Sequence, residues 1–244
     1  MLFRSGGLAQ TAVLGLQGER VAPEAVERAL LWLQTSSPSA LLLASAQAAL
    51  RQLSSRAGQL RHQAALKVAK RLRLRCQQVA LPLVANQDPL RLVLHTAAMG
   101  ISGLEADAWL LERGVIAELP EPGTLTFCLG EVPPWGVGWR LPRQLQALRR
   151  ALGGAPLPPF SAPPIPLVAA PEMALGQAWR APSRSVPLAE AAGCIAAEPL
   201  CPYPPGIPLL VPGERIDADR AQWLVDQQRL WPGQIADTVK VVAT

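Results

Sequence analysis

Proline is distributed very unevenly along this 244-residue chain. Sixteen of its 25 prolines lie beyond residue 155, and six of those fall within residues 156–166. Proline fixes its own φ and has no backbone N–H to donate, so a segment this rich in proline favours stiff, extended backbone. The pattern predicts a Pro-rich linker at 155–170 and a separate C-terminal module at 171–244.

Residues 1–79 have the apolar spacing of helices. We expect a short strand at 11–16, then a helix from about Pro23 to Leu33, where an early proline costs little because its N–H would be unpaired anyway. We expect this helix to end at 34–39. A long helix should then run from Ala40 to about residue 57, with Ser37 or Ser39 as its N-cap, and a further helix should follow it. A buried stripe is predicted from five apolar residues at spacings of three and four: Leu50, Leu53, Ala57, Leu60 and Ala64.

Residues 80–154 predict a compact α+β domain with the order β-α-β-β-α. Strands are expected at 81–85, 90–96, 115–119 and 125–129, and a helix at 141–152. Ser102 and Glu105 have the spacing of a capping box, which predicts a helix from residue 103 to a stop at Gly114. In the C-terminal module we expect a helix at 186–192, a short strand at 209–211, a helix capped by Asp217 or Asp219, and a final strand at 239–242.

Composition excludes several classes of protein. No apolar run reaches the roughly 18 residues of a membrane span, and we expect no secretory leader. The four cysteines are scattered, without a CxxC pair or a nearby histidine, so no metal site is expected, and the pattern fits a reducing cytoplasm. His95 is expected in a strand, as a core or edge residue, and His62 on the basic helix; neither has a partner visible in the sequence.

Positive charge is concentrated in one stretch. From Arg28 to Gln87 there are nine Arg or Lys residues and no Asp or Glu, within a chain of net charge +5. Phosphate contacts to nucleic acid are one interpretation, and a solvated helix face is the other. No aromatic residue interleaves the basic run to stack on bases. We therefore expect no nucleic-acid partner.

Several motifs resemble one enzyme family. The C-terminal module contains SVPLAEAAGCIAAE (185–198) and PYPPGIPLLVPGE (202–214), and QTSSPS (34–39) with LLLAS (41–45) lies upstream. These segments, with DPLR (88–91) and ERGVIAE (112–118), resemble the bacterial ornithine/lysine/arginine decarboxylases, fold-type-I enzymes that use pyridoxal phosphate. The resemblance implies an α/β and α+β fold: a remnant of the large domain at 1–79, a small domain at 80–154, the linker, and the decarboxylase C-terminal domain at 171–244.

The resemblance also implies a function. A family member removes CO2 from a basic amino acid to form a diamine or polyamine precursor, as a homodimer or higher homo-oligomer in the cytoplasm. The family's cofactor lysine belongs to a Ser-x-His-Lys segment before the stretch that residues 6–14 resemble, and Lys67, Lys70 and Lys240 match no such motif. We therefore expect no catalytic residue in this chain and no activity from it alone. A non-catalytic interaction or regulatory protein is the alternative.

Five residues are candidate accessory site residues by this resemblance. Ser36 and Ser37 match a loop that reaches a cofactor phosphate, with helix capping as the alternative. Glu118 matches an acidic position that pairs with the cationic end of the substrate, unless it is an exposed strand residue. Tyr203, the only tyrosine, is expected near the entrance to the site or packed against prolines. Glu214 is expected to pin its loop, to add negative potential, or to lie on the surface.

Overall fold

A computed structural model describes residue 8 and residues 11–158, 161–166, 171–203 and 206–243. Parts of the predicted linker, at 159–160 and 167–170, lie outside these residues, as do Pro204 and Pro205 of the C-terminal motif. Mixed helices and small antiparallel sheets are found, as the predicted fold class required. No helix in the described part is long and apolar enough to cross a membrane.

Three helices open the chain: α1 (Pro23–Leu33), α2 (Ala40–Ser54) and α3 (Arg56–Gln78). Pro23 occupies the first turn of α1, and the Ser39 hydroxyl accepts the Leu42 N–H at the start of α2. The strand predicted at 11–16 is wrong, because this exposed, irregular segment has no strand to pair with among the described residues.

The predicted buried stripe is also wrong. Ser55 separates α2 from α3 and caps α3 through the Gly58 N–H at 3.0 Å, which shifts the helical phase. Leu50 and Leu60 are exposed, and α3 instead buries Ala65, Ala69, Leu72 and Cys76. Both stripes have helical spacing. The observed one is buried because it packs against the following domain.

The middle of the chain forms a four-stranded antiparallel sheet in the order β1-β2-β4-β3. Its strands are β1 (Leu83–Val84), β2 (Arg91–Leu94), β3 (Leu119–Pro120) and β4 (Leu125–Cys128), and its helices are α4 (Gly103–Leu111) and α5 (Val137–Leu152). The capping box is confirmed, because Ser102 Oγ accepts the Leu104 N–H and Glu105 accepts the Ser102 N–H, each at 3.2 Å. The β-α-β-β-α order is present from β2 onward, with β1 added before it. Strand β3 begins only at the end of its predicted range, and α5 begins four residues early.

The core of this unit combines α3 with the sheet and its two helices. Leu72 of α3, Leu92 and Leu125 of the sheet, and Leu145 of α5 are fully buried in one apolar cluster. Thus α3, which lies within the predicted segment 1–79, contributes its buried face to the core of the following domain. That packing places the basic side chains of α3 beside α5.

We expect Cys76 to resist alkylation while Cys201 reacts. All four cysteines are free; Cys76 is fully buried and Cys201 is exposed. Burial raises the pKa of the Cys76 thiol to about 11, so almost no reactive thiolate forms at pH 8. Timed iodoacetamide labelling followed by mass spectrometry should modify Cys201 first and Cys76 only in denaturant. Equal labelling rates in the native protein would contradict this packing.

The C-terminal unit contains α6 (Leu175–Arg180), β5 (Ser183–Pro187), α7 (Ala218–Leu230) and β6 (Thr238–Val242). Strands β5 and β6 form an antiparallel pair, and α7 covers an apolar cluster that includes Leu188, Leu210 and Leu224. The predicted final strand and the Asp217 cap are confirmed. The helix predicted at 186–192 is wrong, because Val186 and Pro187 finish β5 and only one 3-10 turn follows. The strand predicted at 209–211 is reduced to a single bridge between Leu200 and Leu210.

Candidate functional site

A buried charge network organises the C-terminal motif. The Asp217 carboxylate accepts the backbone N–H of Arg220 at 2.7 Å and so caps α7. The Arg220 side chain donates to Glu214 Oε2 at 2.6 Å, to Asp217 Oδ2 at 2.6 Å, and to the carbonyls of Leu209 and Arg215. Arg220 is 5% exposed and Glu214 is 7% exposed. One guanidinium therefore ties the 209–217 loop to its following helix.

The network shifts the pKa values of Asp217 and Arg220. Burial raises the pKa of Asp217, but hydrogen bonds from the Arg220 backbone and guanidinium outweigh burial and hold that pKa below its usual value. Burial lowers the pKa of Arg220, and its hydrogen bonds to Glu214 and Asp217 more than reverse this effect. Both groups are thus held in their charged forms.

Gly213 brings three segments of the C-terminal unit together. Its φ is +94°, and its N–H donates to the Ala196 carbonyl at 2.8 Å. Its own carbonyl accepts the N–H of Glu172 at 2.9 Å and of Met173 at 3.3 Å. The neighbouring Arg215 guanidinium pairs with the Glu172 carboxylate. The PGE part of the motif therefore serves as an architectural junction.

Glu214 and Tyr203, two of the predicted site residues, differ sharply in their surroundings. Glu214 lies inside the network just described, and this geometry supports the loop-pinning alternative. Tyr203 is 73% exposed, and its backbone N–H donates to Gln234 at 3.4 Å. Of these two side chains, only the Tyr203 phenol is available to a ligand from solvent.

Ser36 and Ser37 lie in an exposed turn between α1 and α2. The Ser37 N–H donates to Thr35 Oγ1 at 3.2 Å. Ser39 provides the helix cap, so neither Ser36 nor Ser37 is needed for capping. Their exposed hydroxyls are suitable donors to a phosphate. The described residues around them, however, form no pocket that would enclose a phosphate group. Taken alone, this chain does not fit a pyridoxal phosphate cradle at this turn.

Glu118 and the three lysines do not form a site together. Glu118 is exposed beside β3, where its N–H donates to the Thr126 carbonyl at 2.8 Å. Lys67 and Lys70 are exposed on α3, and Lys240 pairs with Glu198 at 2.8 Å. None of these lysines is a buried amine of the kind that would fit an imine-forming role.

The histidines and acidic residues build no metal centre in the described part of the chain, where no group of three or more metal-ligating side chains converges. His62 is exposed on α3. His95 is exposed just after β2, where its N–H donates to the Pro82 carbonyl at 2.9 Å.

A tryptophan and arginine surface was missed by sequence analysis. Trp135 and Trp139 meet edge to face, with ring centroids 6.2 Å apart, and the Arg140 guanidinium lies 5.5 Å and 5.2 Å from the two ring centroids. Both tryptophans line two grooves, one of about 830 Å³ and one of about 700 Å³. One feature of the sequence indicates this positive surface: residues 132–171 contain no Asp or Glu.

Comparison with known proteins shows a similarity to one family. Residues 160–230 match the family described as Orn/Lys/Arg decarboxylase, C-terminal domain. The resemblance expected from the motifs is confirmed, since these residues are similar to the C-terminal domain of that family.

The relatives include two arginine decarboxylases. The protein from Bacillus subtilis (strain 168) is 28% identical over 235 residues, covering 90% of this chain and 47% of the relative. The protein from Halalkalibacterium halodurans is 29% identical over 249 residues, covering 92% of this chain and 48% of the relative. The chain therefore spans about half the length of the curated relatives it matches.

Solved structures support the fold. The constitutive lysine decarboxylase of E. coli matches with a TM-score of 0.68 at 18% identity, over 93% of this chain and 46% of that one. Lysine decarboxylase A from Pseudomonas aeruginosa matches with a TM-score of 0.64 at 17% identity, over 93% and 45%. At this identity the likeness concerns the fold alone.

Proposed function

We propose that this chain is the C-terminal portion of a pyridoxal-phosphate-dependent decarboxylase of arginine, lysine or ornithine. The reaction would release CO2 and leave a diamine or polyamine precursor. The observation that carries the proposal is the motif at 202–214, which falls within the matched domain. In this motif Gly213 makes backbone hydrogen bonds to two other segments, and Glu214 accepts a hydrogen bond from Arg220. Pyridoxal phosphate, when bound, supplies the electron sink that such a reaction needs.

The 244 residues would contribute the rim of the site and leave the covalent anchor to other residues. Glu118 would pair with the cationic end of the substrate, and Tyr203 would contact the substrate at the entrance. Ser36 and Ser37 would donate to a cofactor phosphate held by a neighbouring subunit, in keeping with a homodimer or larger homo-oligomer. Four free cysteines are in keeping with a reducing cytoplasm.

An interaction or regulatory protein is the second candidate. None of the residues of α1 is buried, and Trp32 at its C-terminal end is 85% exposed. Apolar side chains this exposed favour association with another surface. That surface would be the remaining half of a decarboxylase under the first proposal and a separate target under the second.

Borohydride trapping and activity separate the two candidates. The purified chain, incubated with pyridoxal phosphate, freed of unbound cofactor and then reduced, should show no stoichiometric modification of any one lysine by mass spectrometry. It should release no CO2 from arginine, lysine or ornithine. The same chain extended by its upstream reading frame should bind the cofactor and decarboxylate one of the three. Trapping at Lys67, Lys70 or Lys240 with CO2 release from the short chain would contradict the proposed division of the site. An inactive extended protein would favour the interaction role.

In the active extended protein, Glu118→Gln is expected to lower kcat/KM by about tenfold or more, since a charge-assisted hydrogen bond is worth about 1.5–3 kcal/mol. Glu112→Gln is the matched control, because Glu112 is also exposed in the same unit and pairs only with its neighbour Arg113. Steady-state decarboxylation rates measure both variants. Equal rates for the two would remove Glu118 from the substrate pocket.

A further inference from the structure

Tyr203 is exposed, yet its turn restricts where the phenol can lie. The residue is the only tyrosine of the chain and is 73% exposed. The Gly206 N–H donates to the Pro202 carbonyl at 2.9 Å and closes a turn around Tyr203. Gly206 has a φ of +82°, and a Cβ there would lie 3.3 Å from Tyr203 Cδ2. One edge of the ring therefore packs against this glycine, while the rest of the ring is open to solvent.

A second contact ties the Tyr203 backbone to the turn that follows α7. The Tyr203 N–H donates to the Gln234 carbonyl at 3.4 Å, and the Gln234 N–H donates to the Trp231 carbonyl at 3.2 Å. Gly233, with a φ of +89°, lets the chain make this turn directly after the helix. The position of Tyr203 therefore depends on Gln234, a residue far from it in the chain.

Gln227 on α7 fixes the side chain of Gln234. Gln227 is polar but only 2% exposed, and its Nε2 donates to Gln234 Oε1 at 2.5 Å. Its carbonyl accepts the N–H of Trp231 at 2.8 Å, so this one residue contacts both ends of the turn. A buried amide that loses its partner is costly, which keeps the side-chain hydrogen bond closed. A continuous path of hydrogen bonds thus runs from α7 through Gln234 to Tyr203.

We propose that Gln227 is a positioning residue, which acts through Gln234 to hold the Tyr203 phenol in place for a basic amino-acid substrate. The inference rests on the proposed function, in which Tyr203 contacts the substrate at the entrance. Ordering a loose side chain on binding costs affinity, so a phenol that is already held binds the substrate more tightly. Gln227 is itself buried and therefore acts only through its partner.

The single tyrosine makes the hydrogen-bond path testable in the 244-residue chain itself. With 15N-labelled tyrosine only one backbone amide signal arises, and its NMR relaxation gives an order parameter. We expect about 0.85 in the wild type, as for rigid backbone, and below about 0.6 in Gln227→Met, which removes the amide but keeps the side-chain length. Gln222→Met is the matched control and should match the wild type, because Gln222 lies exposed on α7 and donates to Asp226.

A second variant removes the same hydrogen bond from its other end. Gln234→Met acts at a less buried position than Gln227 and should lower the Tyr203 order parameter as Gln227→Met does. Circular dichroism checks that each variant is folded. A mobile Tyr203 in the wild type, an unchanged order parameter in both of these variants, or an equal loss in Gln222→Met would overturn the inference.

Kinetics of the active extended protein test what the held phenol does. Gln227→Met should raise KM by about three- to tenfold, the effect of ordering one side chain. It should leave kcat unchanged, because the contact is made equally in the ground state and the transition state. Gln222→Met should change neither. A changed KM for Tyr203→Ala with an unchanged KM for Gln227→Met would overturn the inference alone. An unchanged KM for Tyr203→Ala would overturn both the inference and the entrance role given to Tyr203.

Discussion

Arg220→Ala is expected to lower the free energy of unfolding of the C-terminal unit by about 3–5 kcal/mol, the range for removing one partner of a buried ion pair. The variant leaves Glu214 buried without its guanidinium and removes the donor that joins the carbonyls of Leu209 and Arg215. Guanidinium chloride unfolding gives the loss, and hydrogen exchange should show it concentrated in residues 206–224.

Arg215→Ala is the matched control for this prediction. Arg215 also pairs with a glutamate, Glu172, but both side chains are about half exposed. Solvent screens an exposed pair, which therefore contributes little to stability, so this variant should stay close to wild type. Equal losses for Arg215→Ala and Arg220→Ala would show that burial does not govern the network.

The same network predicts a pH dependence. The folded state holds the pKa of Asp217 below its unfolded value of about 3.9. Its contribution is therefore complete above that pH and is lost as pH falls toward the folded pKa. As pH falls below about 4, wild type should lose stability more steeply than an Asp217→Asn variant. Unfolding curves at several pH values give the free energy of unfolding as a function of pH for both proteins. Equal slopes would contradict the pairing of Asp217 with Arg220.

Gly213→Ala is expected to destabilise the protein by about 2–5 kcal/mol, from two additive causes. An alanine at a φ of +94° carries left-handed strain of about 1–2 kcal/mol. Its Cβ would also lie 2.1 Å from the Met173 carbonyl oxygen, a backbone atom that cannot turn away. Thermal unfolding followed by circular dichroism measures the total.

Gly193→Ala separates the two causes. Gly193 has a φ of +81°, but nothing lies within 4 Å of the position its Cβ would take. This variant should therefore lose only the strain, about 1–2 kcal/mol. Losses of the same size at both positions would mean that the close approach to Met173 is unimportant.

The sequence indicates the family resemblance, whereas the tertiary structure shows what Glu214 does. The segment 202–214 carried much of the family resemblance in the sequence, but the sequence left the chemical role of this segment open. Glu214 remained open between three alternatives until Arg220, six residues later, was found folded back on it. For Glu118 and Tyr203, exposure is known, whereas contact with a substrate stays a prediction.

Errors in the predicted elements have a physical pattern. Predictions that rest on local hydrogen bonds, such as the Ser102 box, the Ser39 cap and the Asp217 cap, are confirmed. The strand at 11–16 and the helix at 186–192 are wrong because a strand needs a partner elsewhere in the chain. Residues 186–187 found such a partner in β6, and residues 11–16 did not among the described residues.

By itself, the sequence determined where the capped helices α2, α4 and α7 begin and which family the motifs resemble, since each depends on residues close together in the chain. Only the tertiary structure decided which apolar stripe of α3 is buried and which aromatic residues meet its arginines. Trp135 lies 60 residues after Arg75, and packing of α5 against α3 brings both to one groove. Such long-range contacts depend on shape complementarity across the whole core, which local spacing does not encode.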